Sequence, residues 1–178
     1  MLADNTFTVP LGSKSEVLLP DGSKVQLNSG STISYPATFS HHNRNVTLQG
    51  EAFFEVESDT ENPFTVKTND FEVMVTGTKF NVCNYSDDET KSATLVEGIV
   101  DLKFTNQEKT TRLSPGEKLS LNKKENQAII LKADLEIETA WKSGEFIFKE
   151  IALKQQFALI MILIIAMIII SVKQFANK

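Results

Sequence analysis

The carboxylates that could do chemistry gather in one stretch, Glu51, Glu55, Glu57, Asp59 and Glu61. Two carboxylates in unlike surroundings can divide general acid and base work, and several together can hold calcium through hard oxygens. Calcium loops place their acids as Asp-x-Asp-x-Asp-Gly, a spacing this stretch lacks. The simpler account is an exposed strand edge and loop kept from aggregating by charge. Asp87-Asp88-Glu89 reads as a solvated turn. His41-His42 is the other candidate for a metal, but adjacent residues on an extended chain face opposite ways. No Cys and no third His accompany the pair, so a solvated loop is expected. Cys83 is the sole cysteine, which leaves no internal disulfide and no Cys-based metal site. The reading therefore assigns no catalytic, cofactor-binding or metal residue.

Composition narrows the function further. A length of 178 residues suits one domain with a real core. A net charge of -5 offers no basic face for nucleic acid. No Gly-rich run precedes a helical segment, so a phosphate cradle has no support. The first residues, Met1-Leu-Ala-Asp-Asn-Thr, carry neither a basic patch nor an apolar core and do not form a signal peptide.

The elements that must position these groups are strands, centred on Gly50-Glu51-Ala52-Phe53-Phe54-Glu55-Val56. Ala52, Phe54 and Val56 point one way, and Glu51, Phe53 and Glu55 the other. The two phenylalanines cannot share a side. One lies under a neighbouring layer or at a partner surface, although a strand buried on both faces would also house them. Upstream, Ser15–Leu19 and Lys24–Leu27 flank Asp21-Gly22, a hairpin signal. Asn28-Ser29-Gly30-Ser31 is a second turn, and Thr32–Tyr35 follows. Val46–Leu48 is expected to pair with the Gly50 strand. Downstream strands are expected at Phe64–Lys67, Phe71–Val75, Lys79–Tyr85, Ala93–Val96, Ile99–Phe104, Arg112-Leu113, Lys118–Leu121 and Ala128–Leu131. Gly77 interrupts one such run, the mark of a bulge or close backbone approach.

A weak repeat underlies the pattern: Leu19-Pro-Asp-Gly22, Leu95-Val-Glu-Gly98, Leu113-Ser-Pro-Gly116 and the shorter Leu48-Gln-Gly50. Strand, Gly turn and strand in succession predict an all-β body. Its expected architecture is a twisted β-roll or solenoid-like stack of short antiparallel strands, with a double-layer sandwich equally compatible.

The register changes at Asp134. Leu135–Thr139 leads to Trp141-Lys-Ser-Gly144 and an expected strand at Glu145–Phe148. From Ile151 a helix-like run begins, and Phe157–Val172 is hydrophobic on every side. Its 16 residues would span roughly 24 Å as a helix, slightly short of a bilayer core unless extended back past Lys154. It reads as a membrane helix, as the product of a shifted or truncated reading frame, or as a buried core helix. The expected organisation is a β domain at 1–133, the start of a truncated C-terminal subdomain at 134–156, and a hydrophobic transmembrane helix at 157–172.

Taken jointly, several motifs resemble the FecR-like anti-sigma regulators, in the flavour of the Bacteroidetes branch. They are Val9-Pro-Leu-Gly12-Ser-Lys14-Ser15, Leu19-Pro-Asp-Gly22-Ser-Lys-Val25-Gln-Leu27-Asn28, Gly50–Val56, Pro63-Phe-Thr-Val66, Gly77-Thr-Lys-Phe80-Asn-Val82, Leu95-Val-Glu-Gly98 and Leu113-Ser-Pro-Gly116-Glu117. The match covers about Val9 to Phe148. The resemblance implies a non-enzymatic periplasmic β domain of an inner-membrane protein. Such a domain couples the signalling domain of an outer-membrane TonB-dependent transporter to an ECF-type sigma factor through protein contacts. It further implies that Trp141, Gly144 and Phe148 open a subdomain receiving the transporter, which makes Trp141, Phe146 and Phe148 the partner-binding candidates. The sequence lacks the family's sigma-binding segment and upstream membrane helix, so it is expected to be a fragment. The rival readings are a carbohydrate-active enzyme on a β-solenoid and a passive cell-envelope module. The enzyme would need a line of Asp, Arg or Lys on one sheet face, and the only arginines are Arg44 and Arg112.

Overall fold

The computed structural model describes residues 4–105, 110–125 and 127–145. In chain order the strands are β1 (Asn5–Thr8), β2 (Ser15–Leu18), β3 (Lys24–Leu27), β4 (Thr32–Tyr35), β5 (Arg44–Glu55), β6 (Phe64–Lys67) and β7 (Phe71–Val75). They continue as β8 (Lys79–Asn84), β9 (Thr90–Glu97), β10 (Val100–Phe104), β11 (Thr110–Leu113), β12 (Glu117–Asn122) and β13 (Gln127–Lys132), and one helix follows, α1 (Leu135–Ser143).

The strands form one 13-stranded sheet that curls into an open half-barrel. β5, 12 residues long, belongs to both of its wings. The first half of β5 pairs with β4 and β6, opening a wing that runs on through β7, β10 and β11, with β1 beside β4. Its second half pairs with β3 and β8, opening a wing that runs on through β9, β12 and β13, with β2 beside β3. The wings face each other across the core, where Phe54 of one lies 6.1 Å, centroid to centroid, from Phe64 of the other.

This corrects two expectations. Val46–Leu48 and the Gly50 strand are one continuous strand, not a pair. Gly50 bends it at a φ of 101°, and a side chain there would fall 2.5–2.8 Å from Ser31. The Ser31 hydroxyl fills that space, donating to the Glu51 carbonyl at 3.0 Å and accepting from the Glu51 amide at 2.8 Å. The strands are also not stacked as solenoid coils. β5 and β6 run parallel, and the chain passes from wing to wing within β5 at Gly50 and again between β1 and β2, β3 and β4, β5 and β6, β7 and β8, β9 and β10, and β11 and β12. Three members of the weak repeat, ending at Gly50, Gly98 and Gly116, mark such corners. The fourth, at Gly22, is the hairpin between β2 and β3. Gly77 stands at the passage from β7 to β8, where a Cβ would meet the Ser58 backbone at 2.9 Å, and a register shift follows at Lys79/Phe80.

Strand alternation builds the core. Phe54, Phe64, Phe71 and Phe80 are fully buried, with Phe54 and Phe80 stacked at 4.9 Å. One ion pair lies inside: Arg44 Nε donates to Asp21 Oδ2 at 2.8 Å, with both side chains almost fully buried. The guanidinium also donates to the carbonyls of Glu57 and Asn62, and the Ser23 hydroxyl donates to Asp21. The β2–β3 hairpin is thereby fastened to the start of β5. Removing either partner would leave the other charge buried and unpaired, a strongly destabilising change.

α1 belongs to the same compact unit as the strands, Met1–Glu145. Its sequence carries ordinary boundary signals. Asp134 caps the N-terminus, accepting from the Ile137 amide, Glu136 and Glu138 fill the first turn, and Lys142 stands in the last. The helix is short and mostly polar, with only Ala140 buried. Among the described residues no helix is long and apolar enough to cross a membrane. The expected helix at 157–172 and the strand residues 146–148 lie outside the described residues.

Candidate functional site

Six directly paired residues form a line across the outer face of the second wing: Glu16, Gln26, Phe53, Asn81, Thr94 and Lys118. α1 lies along this line as a strap. Glu138 accepts from Lys118 Nζ at 2.7 and 2.9 Å and from the Thr94 hydroxyl at 3.3 Å. One turn on, Trp141 Nε1 donates to Asn81 Oδ1 at 3.2 Å. The Lys142 ammonium sits 3.4 Å from the centre of the Phe53 ring, a cation–π contact. Beyond it, Lys14 Nζ donates to the Trp141 carbonyl. A groove of about 220 Å³ opens there between Lys14, Glu16 and Gln26 on one side and Trp141 and Lys142 on the other.

A carboxyl stands beside the line on the same face of β5, two residues from Phe53. Glu51 on β5 accepts from Asn28 Nδ2 at 2.7 Å and from Asn81 Nδ2 at 2.9 Å. Burial pushes its carboxyl above the usual range, the two amide donors pull it down, and Glu138 and Lys118 add smaller opposing effects. Asn81 thus joins the Trp141 indole to the Glu51 carboxylate. Burial also lowers the Lys142 ammonium and pushes the neighbouring Cys83 thiol up to about 12, which makes it a poor nucleophile.

Of the partner-binding candidates, Trp141 lies half-buried at the centre of this arrangement, while Phe146 and Phe148 lie outside the described residues. The acidic stretch is dispersed. Glu51 is beneath the strap, Glu55 and Glu57 line a separate notch with Lys79 and Glu97, and Asp59 is engaged by the amides of Glu61 and Asn62. His42 Nδ1 lies 3.2 Å from Asn62 Oδ1. Among the described residues no three His, Cys, Asp or Glu side chains are placed to hold a metal ion. The two arginines are far apart in role: Arg44 is the buried pin, and Arg112 forks onto Asp101 at 2.7 and 2.8 Å on β11 and β10.

Sequence reasoning missed Asn28, Asn81, Thr94, Lys118 and Glu138. A signal was present. Glu51, Asn81, Thr94 and Lys118 occupy the outward positions of central strands, and the Asp134 to Gly144 interval holds a short capped helix able to cover them.

The fold is shared with two crystal structures of a candidate anti-sigma factor from Parabacteroides distasonis, solved at 2.50 and 1.65 Å. They are similar at TM-scores of 0.77 and 0.76 and at 33% and 34% identity. The similarity covers 83% and 82% of this chain and 68% of each solved chain. The class is that of anti-sigma regulators. Residues 5–101 match the family model described as FecR protein, and the chain belongs to the FecR family. No curated protein is significantly similar to it.

Proposed function

We propose that this chain is the sensing body of a FecR-type anti-sigma factor. It couples the signalling domain of an outer-membrane TonB-dependent transporter to an ECF-type sigma factor by protein contacts, without catalysis. In this reading the β body stands in the periplasm, and a segment at the inner membrane carries the signal inward. The observation that supports it is the strap. α1 is held across a row of strand partners by hydrogen bonds, an ion pair and one cation–π contact, which a partner can exchange at little net cost. A partner that binds Trp141 or its groove changes the balance between docked and lifted α1, and only a difference in affinity for the two states transmits a signal. The test is titration of the full chain in mild detergent with the purified signalling domain of a transporter from the same genome, followed by Trp141 fluorescence. Saturable binding that shifts the emission and is weakened at least tenfold by Trp141→Ala is expected. Absence of binding to every such domain, with an unchanged sigma-dependent reporter when the gene is deleted, would refute the reading.

A further inference from the structure

Among the described residues the curled sheet leaves four strands paired on one side only: β1 and β11 in the first wing, β2 and β13 in the second. Three of them are short and polar or charged, four residues each: Asn-Thr-Phe-Thr, Ser-Glu-Val-Leu and Thr-Thr-Arg-Leu. Arg112 of β11 is clamped to Asp101, and Glu16 of β2 accepts from Gln26. Such edges resist pairing with another chain. β13 is different. It has six residues, no charge before Lys132, and every residue exposed, with Ile129, Ile130 and Leu131 at 44, 45 and 46%. A long apolar edge whose outward N–H and C=O groups meet no strand among the described residues is a template for another strand.

Among the described residues only β12 pairs with β13. α1 starts beside β13, crosses the wing, and brings Gly144 next to Lys14 before β2. The register points instead to a second copy. Ile130 lies opposite Leu119 and extends the inner row Leu27, Ala52, Val82, Ala93 and Leu119, while Ile129 and Leu131 stand on the strap side. Antiparallel self-pairing about a two-fold axis must match residues of the same face. Centred on Ile130, it sets Ile129 against Leu131 twice and Lys132 against Ala128, so apolar meets apolar and no like charges meet.

We propose that β13 pairs with β13 of a second copy of this chain, antiparallel and centred on Ile130. This goes beyond the anti-sigma reading and does not depend on it. Two six-residue strands bury less than the roughly 1,000 Å² of a stable interface, so the dimer is reversible and concentration-dependent. The experiment uses the full chain in mild detergent, in a Cys83→Ala background. Ile130→Cys should give a covalent dimer under mild oxidation, because opposed Cα atoms of an antiparallel pair lie within disulfide reach. Ile129→Cys, facing Leu131, should cross-link far less. Sedimentation should show a concentration-dependent dimer that Ile130→Lys abolishes by placing two ammonium groups face to face. Ile130 is exposed, so folding should survive the change. A chain that remains monomeric, and whose Ile130→Cys variant gives no cross-link, overturns the proposal. So does association that survives Ile130→Lys, which would lie elsewhere on the chain. Slow amide exchange along β13 in the monomer would overturn it too, by showing the edge covered within one chain.

Discussion

Phe53 and Phe54 are neighbours in sequence, and each belongs to a different kind of interior. Phe54 is fully buried between the two wings, stacked on Phe80 and edge-on to Phe64. Phe53 is almost as buried, at 3%, yet its cover is a polar helix with an ammonium over the ring. The first interior is held by apolar area, which is lost only when the body unfolds. The second is held by Glu138, Trp141 and Lys142, each able to trade a protein partner for water or another protein. Equal burial therefore does not mean equal permanence. In the function proposed above, α1 is the part that a partner would lift and the β body the part that stays.

The comparison breaks most plainly at its apolar side. Phe54→Ala should destabilise the body by about 3–5 kcal/mol, the usual range for an emptied aromatic site. Phe53→Ala should lose much less, which chemical denaturation followed by far-ultraviolet circular dichroism would measure. Gly50→Val comes next, at about 2–3 kcal/mol, because it forces a β-branched residue to positive φ and into Ser31. Gly77→Val should behave alike against Ser58. Unchanged melting of both variants would contradict the corner assignment.

Smaller effects sharpen the strap side. Trp141 is the sole tryptophan, so its emission reports α1 alone. Asn81→Ala removes the indole's acceptor and a donor to Glu51, and should weaken docking by about 1 kcal/mol with little change in strand content. Red-shifted emission at unchanged circular dichroism is the expected reading. The smallest effect is one of pH. A carboxyl raised in the folded state binds its proton more tightly there than in the unfolded chain. The contribution of Glu51 is thus fully present below 4.5, its ordinary value, and is lost as pH rises through its folded value. Glu51→Gln should flatten that part of the stability profile.

Much of the body was legible in the sequence because alternation and turn chemistry are local. The Asp21-Gly22 hairpin, Thr32–Tyr35, Phe64–Lys67 and Phe71–Val75 fall where they were expected. The unity of β5 was not legible. A glycine in a strand signals a break, and only the switch of partners from β4 and β6 to β3 and β8 shows that the strand continues through it. Asp21 read as a turn residue, since its ion pair with Arg44 spans two elements that local pattern cannot join. Trp141 was found through the family's motif, but its partner Asn81 sits between Phe80 and Val82 and passes for an ordinary outward strand residue. The strap became visible only when register aligned residues of six strands in one row along the helix.

The claim that the two interiors differ in permanence is tested most directly by native-state hydrogen exchange of the full chain, read peptide by peptide. Amides of α1 should open with a free energy several kcal/mol below those of β5 and β8, through a local event that leaves the strands protected. Equal protection of α1 and the central strands, lost together in one global opening, would contradict the account.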